Sequence, residues 1–276
     1  EILHPEKKDG ETPSLTAMKV RFTASATAFP GVRDVKIATP QGISTVGQLV
    51  IVQDPVVYES DKNNTRDAAT ELPIPATACG VIEANEDVDY FRFKVEADSE
   101  LNFHVRCSRL QDRVHDMQRH ADPMITIRNA TGGTVATSDN HFFGDPFLNV
   151  KFDRAGDYFL EIRDVRYHGN KYWEYSVEVT NQPFVSNSYP MGIQIGQKTN
   201  VDLVGASLAS DARSEITLPA DCPLGPVWKQ LTQNESVTNP TVIYATNLPI
   251  TLESAADNTT PEGSQQFTMP AGINGR

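Results

Sequence analysis

The sequence predicts an all-β chain built as tandem β-sandwiches, and three observations carry that expectation. Apolar and polar residues alternate through Phe91-Arg92-Phe93-Lys94-Val95, Leu101-Asn102-Phe103-His104-Val105-Arg106-Cys107 and Tyr175-Ser176-Val177-Glu178-Val179, the pattern of strands with one face buried and one wet. Turn punctuation recurs between such stretches, at Gly132-Gly133, Ala155-Gly156-Asp157 and His168-Gly169-Asn170. No helical periodicity stands out beyond Arg109 to Arg119, which reads equally well as a loop. Many short strands joined by Gly-, Asn- and Pro-rich turns pack as sandwiches.

The chain then repeats itself. Glu59-Ser60 with Asn64-Thr65 returns as Glu253-Ser254 with Asn258-Thr259, an offset of 253 − 59 = 194, and Gly31 and Pro55 match Gly225 and Pro249 at the same offset. After one inserted residue, Pro75-Ala76 and Gly80 find counterparts in Pro270-Ala271 and Gly275. A period this long indicates an array of domains rather than a solenoid of small units. It sets the expected boundaries: a small unit over 1–56, a central module over 57–181, a second small unit over 182–252, and the start of another module over 253–276. The second copy stops where the first enters its main body, so the first small unit is expected to be truncated and residues 253–276 poorly packed or extended. The second small unit has strand candidates at Thr199-Asn200-Val201-Asp202-Leu203-Val204 and Val242-Ile243-Tyr244.

Composition narrows the function. The 276 residues suffice for two or three domains. A net charge of −12 and a pI of about 4.9 argue against a nucleic-acid partner, which needs clustered Lys and Arg. No run of 18 apolar residues offers a membrane span. The chain opens Glu1-Ile2-Leu3-His4-Pro5-Glu6-Lys7-Lys8, with no signal peptide visible, which in an excised fragment says nothing of export. Cys79, Cys107 and Cys222 form no Cys-x-x-Cys pair. Cys107 continues a buried parity, and a Cys79–Cys107 bridge between adjacent strands is an open alternative.

The stretch from Tyr58 to Phe93 carries the chemistry. Glu59, Asp61, Asn63 and Asn64 lie within six residues, ahead of a second group of carboxylates at Asp87 and Asp89 where the next strand begins. Calcium takes six to eight oxygens from carboxylates, amide carbonyls and backbone. An acidic tether folded back onto an acidic strand start can supply them; a solvated linker is the plain alternative.

The central module resembles the bacterial pre-peptidase C-terminal domain family. The resemblance rests on Asn63-Asn64-Thr65 with the preceding acids, Pro75-Ala76 leading to Gly80, and Asp87-Val88-Asp89-Tyr90-Phe91-Arg92-Phe93. It continues through Asp122-Pro123-Met124-Ile125-Thr126-Ile127, Gly133, Asp145-Pro146, Phe152, Ala155-Gly156-Asp157-Tyr158 and Arg163-Asp164-Val165-Arg166-Tyr167-His168-Gly169 with Tyr172 and Tyr175. Phe29-Pro30-Gly31-Val32-Arg33-Asp34-Val35 and Thr39-Pro40-Gln41-Gly42-Ile43-Ser44 look like the immunoglobulin-like segments that precede such domains. The resemblance implies a jelly-roll-like sandwich of about eight strands between two immunoglobulin-like units. It also implies a non-catalytic module of a secreted, periplasmic or cell-surface bacterial protein, related to the collagen-binding domains of collagenases. Its implied calcium ligands are Glu59, Asp61, Asn63, Asn64, Glu86, Asp87 and Asp89, with Ala255 at the Asp61 position of the second copy. The implied partners are neighbouring domains of the same larger protein.

Other constellations are weaker. His115 and His120 with Asp116 and Asp122 lack the spacing that sets two imidazoles on one helix face, and read as a surface loop. Asp139, Asn140 and Asp145 are candidates for a second ion. No Gly-x-Ser-x-Gly elbow, His-Glu-x-x-His or Cys–His arrangement suggests an enzyme. Trp173 shares the parity of a core strand, whereas Tyr167 and Tyr172, with Phe142 and Phe143, fall outside it. Tyr167 and Tyr172 could therefore stack on a polysaccharide or grip an extracellular protein. A recognition module serving a catalytic domain elsewhere is the rival reading.

Overall fold

The computed structural model describes residues 2–3, 19–111, 119–233, 235–254 and 256–275. The fold is all-β. Strands of the central module are labelled from Val56 onward: β1 (Val56–Tyr58), β2 (Thr70–Glu71), β3 (Ala76–Val81), β4 (Val88–Val95), β5 (Ser99–Arg106), β6 (Pro123–Asn129), β7 (Thr134–Ser138), β8 (Phe147–Phe152), β9 (Gly156–Asp164) and β10 (Glu174–Thr180). They form two five-stranded sheets, in the orders β7-β6-β9-β4-β2 and β8-β5-β10-β3-β1. The sandwich therefore has ten strands where the resemblance implies about eight. The two extra-short edge strands, β1 and β2, belong to the entering tether, and each joins its sheet in parallel: Val56 opposite Thr77, and Thr70 opposite Phe91.

Alternation places Phe91, Phe93 and Val95 of β4 in the core against Leu101, Phe103 and Val105 of β5 and Tyr175, Val177 and Val179 of β10. Phe93 packs its ring 5.6 Å from Phe103 and 5.9 Å from Phe152. Trp173 is buried, and its indole N–H donates to Arg119 O at 3.1 Å. Gly132-Gly133 makes the β6–β7 turn, where Asn129 Oδ1 accepts from Thr131 N and Gly133 N. One sequence expectation fails on β5. Its polar face is not wet: Asn102, His104 and Arg106 are 0, 7 and 8% exposed, because the following unit lies against it.

That unit contains β11 (Phe184–Tyr189), β12 (Gly192–Gln194), β13 (Lys198–Ala206), β14 (Arg213–Thr217), β15 (Gly225–Gln233) and β16 (Ser236–Thr246). Two three-stranded sheets, β11-β13-β14 and β12-β16-β15, enclose Ile193, Val201, Leu203, Ile216, Leu218 and Ile243. The N-terminal region holds a hairpin of Gly31–Val35 and Gly47–Ile51, and Ile2–Leu3 pairs with Lys19–Val20. Beyond β16, β17 (Ile250–Leu252) pairs in parallel with β18 (Gly272–Asn274), and most described residues from 253 to 275 are exposed.

Of the stretch Arg109–Arg119, which reads equally as helix or loop, the described residues through Gln111 belong to a one-turn helix, Ser108–Gln111, and 112–118 lie outside the described residues. Asp145 starts that turn, accepting from Cys107 N, Ser108 N and Arg109 N and from Arg109 Nε. With two donors on each oxygen, this buried carboxylate has no lone pair left for an ion. Cys79 and Cys107 are both free thiols, so the bridge considered from sequence does not form.

Candidate functional site

The tether meets the sandwich where β1 ends. Glu59 N donates to Cys79 O at 2.9 Å, continuing the parallel ladder by one residue, and Glu59 Oε1 accepts from Val81 N at 3.0 Å. The Glu59 carboxylate therefore lies over β3. Gly80 makes this possible: a Cβ there would stand 2.3 Å from Glu59 Oε2 and 2.3 Å from the Tyr175 hydroxyl. The tether then turns, with Asn63 N bonded to Ser60 O at 3.2 Å, and crosses to the other sheet, where Asn63 O accepts from Tyr90 N at 2.9 Å. Thr70 Oγ1 accepts from Ser60 N at 3.0 Å.

These bonds bring groups from both sheets to one point. Tyr175 on β10 places its hydroxyl 2.8 Å from Asp89 Oδ2 and 3.1 Å from Glu59 Oε2. A phenol has one proton for two carboxylates. Asn63, 2% exposed, turns its amide toward Ser60 O and Asp89 Oδ1, and its nitrogen donates to them at 3.0 and 3.1 Å in one orientation. In the other orientation the amide oxygen faces the same two acceptor oxygens, and exchanging oxygen for nitrogen satisfies both contacts. Alongside, Asp87 Oδ1 accepts from Asn64 Nδ2 at 2.8 Å and Oδ2 from Glu83 N at 2.7 Å.

Burial is the main force on the charges. It pushes Asp89 up to about 9, helped by the negative charges of Glu59 and Asp87. Glu59 is also raised by burial, against hydrogen bonds from Asp89, Val81 and Tyr175. Burial and the two carboxylates hold the Tyr175 phenol well above its ordinary value. Without a cation, the Glu59–Asp89 pair keeps a proton at neutral pH, as close carboxylates do.

Of the residues singled out by sequence, Glu59, Asn63 and Asp89 converge, and Asn64 and Asp87 form the adjoining hydrogen-bonded pair. Asp61 lies on the exposed turn of the tether, and Glu86 is exposed at φ +65° with its N–H on Tyr167 O at 2.9 Å. Among the described residues, no three His, Cys, Asp or Glu side chains form a ready-made cage. A cation here would be held by two carboxylates together with the Asn63 amide and the Ser60 carbonyl, a hard-oxygen set that suits calcium. The hub that sequence reading missed is Tyr175. It shares the core parity of β10, and the only signal was a hydroxyl where Phe would pack equally well.

Tyr167 and Tyr172 are 47 and 66% exposed on the β9–β10 connection. The Arg163 guanidinium lies 4.1 Å from the Tyr167 ring and Lys171 Nζ lies 4.9 Å from that of Tyr172. Asp122 pairs with Arg166 at 3.2 Å, and His115 and Asp116 lie outside the described residues. Phe142 is half-buried, with Arg109 5.0 Å from its ring, whereas Phe143 is exposed.

No protein-family model matches the chain, and no curated protein is similar to it at a significant level. Among solved structures, the pre-peptidase C-terminal domain of a collagenase from Bacillus anthracis aligns at 14% identity and TM-score 0.33, covering 43% of this chain and 100% of that one. PliG, a periplasmic inhibitor of g-type lysozyme, aligns at 12% identity and TM-score 0.27 for the Aeromonas hydrophila protein, covering 41% of this chain and 96% of that one. Tripeptidyl peptidase 2 aligns over 73% of this chain and 18% of its own at 14% identity and TM-score 0.22.

Proposed function

We propose that the chain is a non-catalytic segment of a larger exported or cell-surface protein, in which calcium locks the tether onto the central sandwich and fixes its direction of entry. The carrying observation is the meeting of Glu59 and Asn63 from the tether with Asp89 from β4, all beside the Tyr175 hydroxyl. Calcium would replace the shared proton, and the Glu59 and Asp89 carboxylates would then bind it while Tyr175 orients them. Asp87, held by Asn64 and Glu83 N, adds negative potential beside the ion. No helix among the described residues is long and apolar enough to cross a membrane. The neighbouring units of the same polypeptide are the proposed partners.

Thermal melting in calcium and in chelator tests this reading. An ion that binds only the folded state adds about 2.7 kcal/mol at one hundred times its Kd. Tm should rise with calcium in the wild type and stay flat in Asp89→Asn. An equal Tm in calcium and chelator would refute the clasp.

A further inference from the structure

The connection between β9 and β10, residues 165–173, is tied down at every turn. Asp164, fully buried, closes the first: Tyr167 N donates to Asp164 O at 3.0 Å, and Asp164 Oδ1 accepts from Arg166 N at 2.9 Å and His168 N at 3.1 Å. The other carboxylate oxygen accepts from Asp122 N at 3.0 Å. Gly169 then presses against the β3–β4 connection, where a Cβ would stand 2.0 Å from Ala84 O. Asn170 closes the second turn, accepting from Tyr172 N at 3.1 Å through its side chain and from Trp173 N at 2.8 Å through its carbonyl. On this frame Tyr167 stands at φ +57°. Left-handed backbone is cheap for glycine or asparagine and costly for a bulky residue, yet the ring held there is half exposed rather than core. Strain of this kind persists only where the surroundings over-determine it, and it concentrates at ligand-binding positions. Tyr172, on the second turn, is exposed as well.

Positive charge gathers at the same place. The chain carries −12 overall, but residues 163–171 hold Arg163, Arg166 and Lys171 against Asp164 alone, and the Asp164 oxygens are taken by N–H groups. Arg119 comes alongside from another part of the chain, its Nη1 donating to His168 Nδ1 at 2.6 Å. Arg163 and Lys171 stand over the two tyrosine rings. Among the described residues, neither Lys171 nor Arg119 pairs with a carboxylate. Arg166 pairs with Asp122 in an exposed contact, a kind weak enough for an incoming anion to displace. Glu86 flanks the first turn through its N–H, which donates to Tyr167 O.

We infer that the β9–β10 connection is a preorganised platform for an acidic polysaccharide, in which Tyr167 and Tyr172 stack on sugar rings while Arg119, Arg166 and Lys171 meet the sugar carboxylates. A pyranose offers a flat C–H face to a phenol ring and a carboxylate at its rim, and this surface presents both complements on one fixed turn. An acidic peptide would engage the cations and leave the ring faces unused. Holding the rings in place before binding removes an ordering cost that a mobile loop would carry. The site stands apart from Glu59 and Asp89 and does not depend on calcium there.

The probe is a galacturonate oligosaccharide added to the whole chain in chelator and followed by calorimetry, with a neutral galactose oligomer and polyglutamate as controls. Saturable binding of the galacturonate is expected, weakening as salt rises, with both controls bound at least about tenfold more weakly. Tyr167→Asn removes one ring and suits the left-handed backbone, so Tm should hold while affinity falls at least about tenfold, a split that a merely structural tyrosine would not give. Tyr172→Ala should weaken binding likewise. The double variant Arg119→Ala with Lys171→Ala should weaken it and flatten its salt dependence. No saturable binding of galacturonate, equal binding of either control, or full affinity in Tyr167→Asn overturns the proposal.

Discussion

At its entrance the central sandwich is joined to the incoming chain by carboxylates, an amide and a phenol around Asp89. At its exit, toward β11, it is joined by an aromatic plug and a knot of hydrogen bonds around the Glu100 carboxylate. Phe184, 4% exposed, packs its ring 4.4 Å from Phe147 and 5.0 Å from His104. Ser207 Oγ donates to Glu100 Oε1 at 2.8 Å and accepts from Asn102 Nδ2 at 3.1 Å and Asn149 Nδ2 at 3.2 Å. Asn102 Nδ2 also reaches Gln182 O at 2.9 Å. The exit has a partner for each of these groups within the chain. The entrance places two carboxylates on one phenolic proton and is completed by something added, a proton or a cation. One junction is therefore permanent, and the other can respond to its surroundings.

The largest effect should come from breaking the permanent one. Phe184→Ala removes a buried ring from between two units, and such truncations cost about 3–5 kcal/mol. In calorimetry the second unit should melt separately from and below the central sandwich, while the calcium-dependent rise in Tm is retained. A single transition with an unchanged midpoint would show that Phe184 does not couple them. Gly80→Ala breaks the opposite end. Its Cβ would stand 2.3 Å from the Tyr175 hydroxyl, and overpacking of that kind costs about 1–3 kcal/mol. Here the rise in Tm with calcium should vanish while coupling to the second unit survives.

The contrast also shows what the sequence could and could not convey. Strand parity revealed β4, β5 and β10 because a sheet face shows its burial in every second residue. The 194-residue offset set the two small units in register because Gly31 and Pro55 return as Gly225 and Pro249. Parity could not reveal that Asn102, His104 and Arg106 are covered, since a polar face closed by hydrogen bonds reads like a wet one. The tether acids were visible as a cluster. Which of them turn inward was not, because Glu59 depends on the absence of a side chain at Gly80 and Asp89 on a hydroxyl that comes from β10, 86 residues away.

Acidity should separate the two ends next. Asp89 has a higher pKa folded, about 9, than its ordinary 3.8. The cation-free native state thus binds more protons across that window, and its stability falls as pH rises, by at most about 1.4 kcal/mol per unit for one proton. Saturating calcium should flatten this slope. At the exit the sign is reversed. Burial and the neighbouring Arg106 depress His104 to about 4 from 6.5, so the unfolded chain takes up the proton first and stability falls as pH drops through that range. Burial pushes Glu178 up, but His104 and Arg106 outweigh it and hold the carboxyl at about 2, so its contribution is lost only in stronger acid. Melting curves in chelator should therefore stay nearly level from about pH 4 to 6.5, where the two one-proton slopes oppose each other, and fall from there to pH 9. A plateau extending to pH 9 would contradict the shared proton at Asp89.

The smallest effect sharpens the boundary of the entrance site. Asp61 is exposed on the tether turn and takes no part in the contacts among Glu59, Asn63, Asp89 and Tyr175. In chelator, Asp61→Asn should leave Tm within about 2 °C of wild type, as surface substitutions do. In calcium the outcome depends on reach, because the turn from Ser60 to Asn63 is the piece of tether that would close over an ion. A smaller calcium-dependent rise in Asp61→Asn would show that the tether folds inward to add a ligand beyond those already gathered. An undiminished rise would confine the ion to Glu59, Asp89, the Asn63 amide and the Ser60 carbonyl, with water completing its shell.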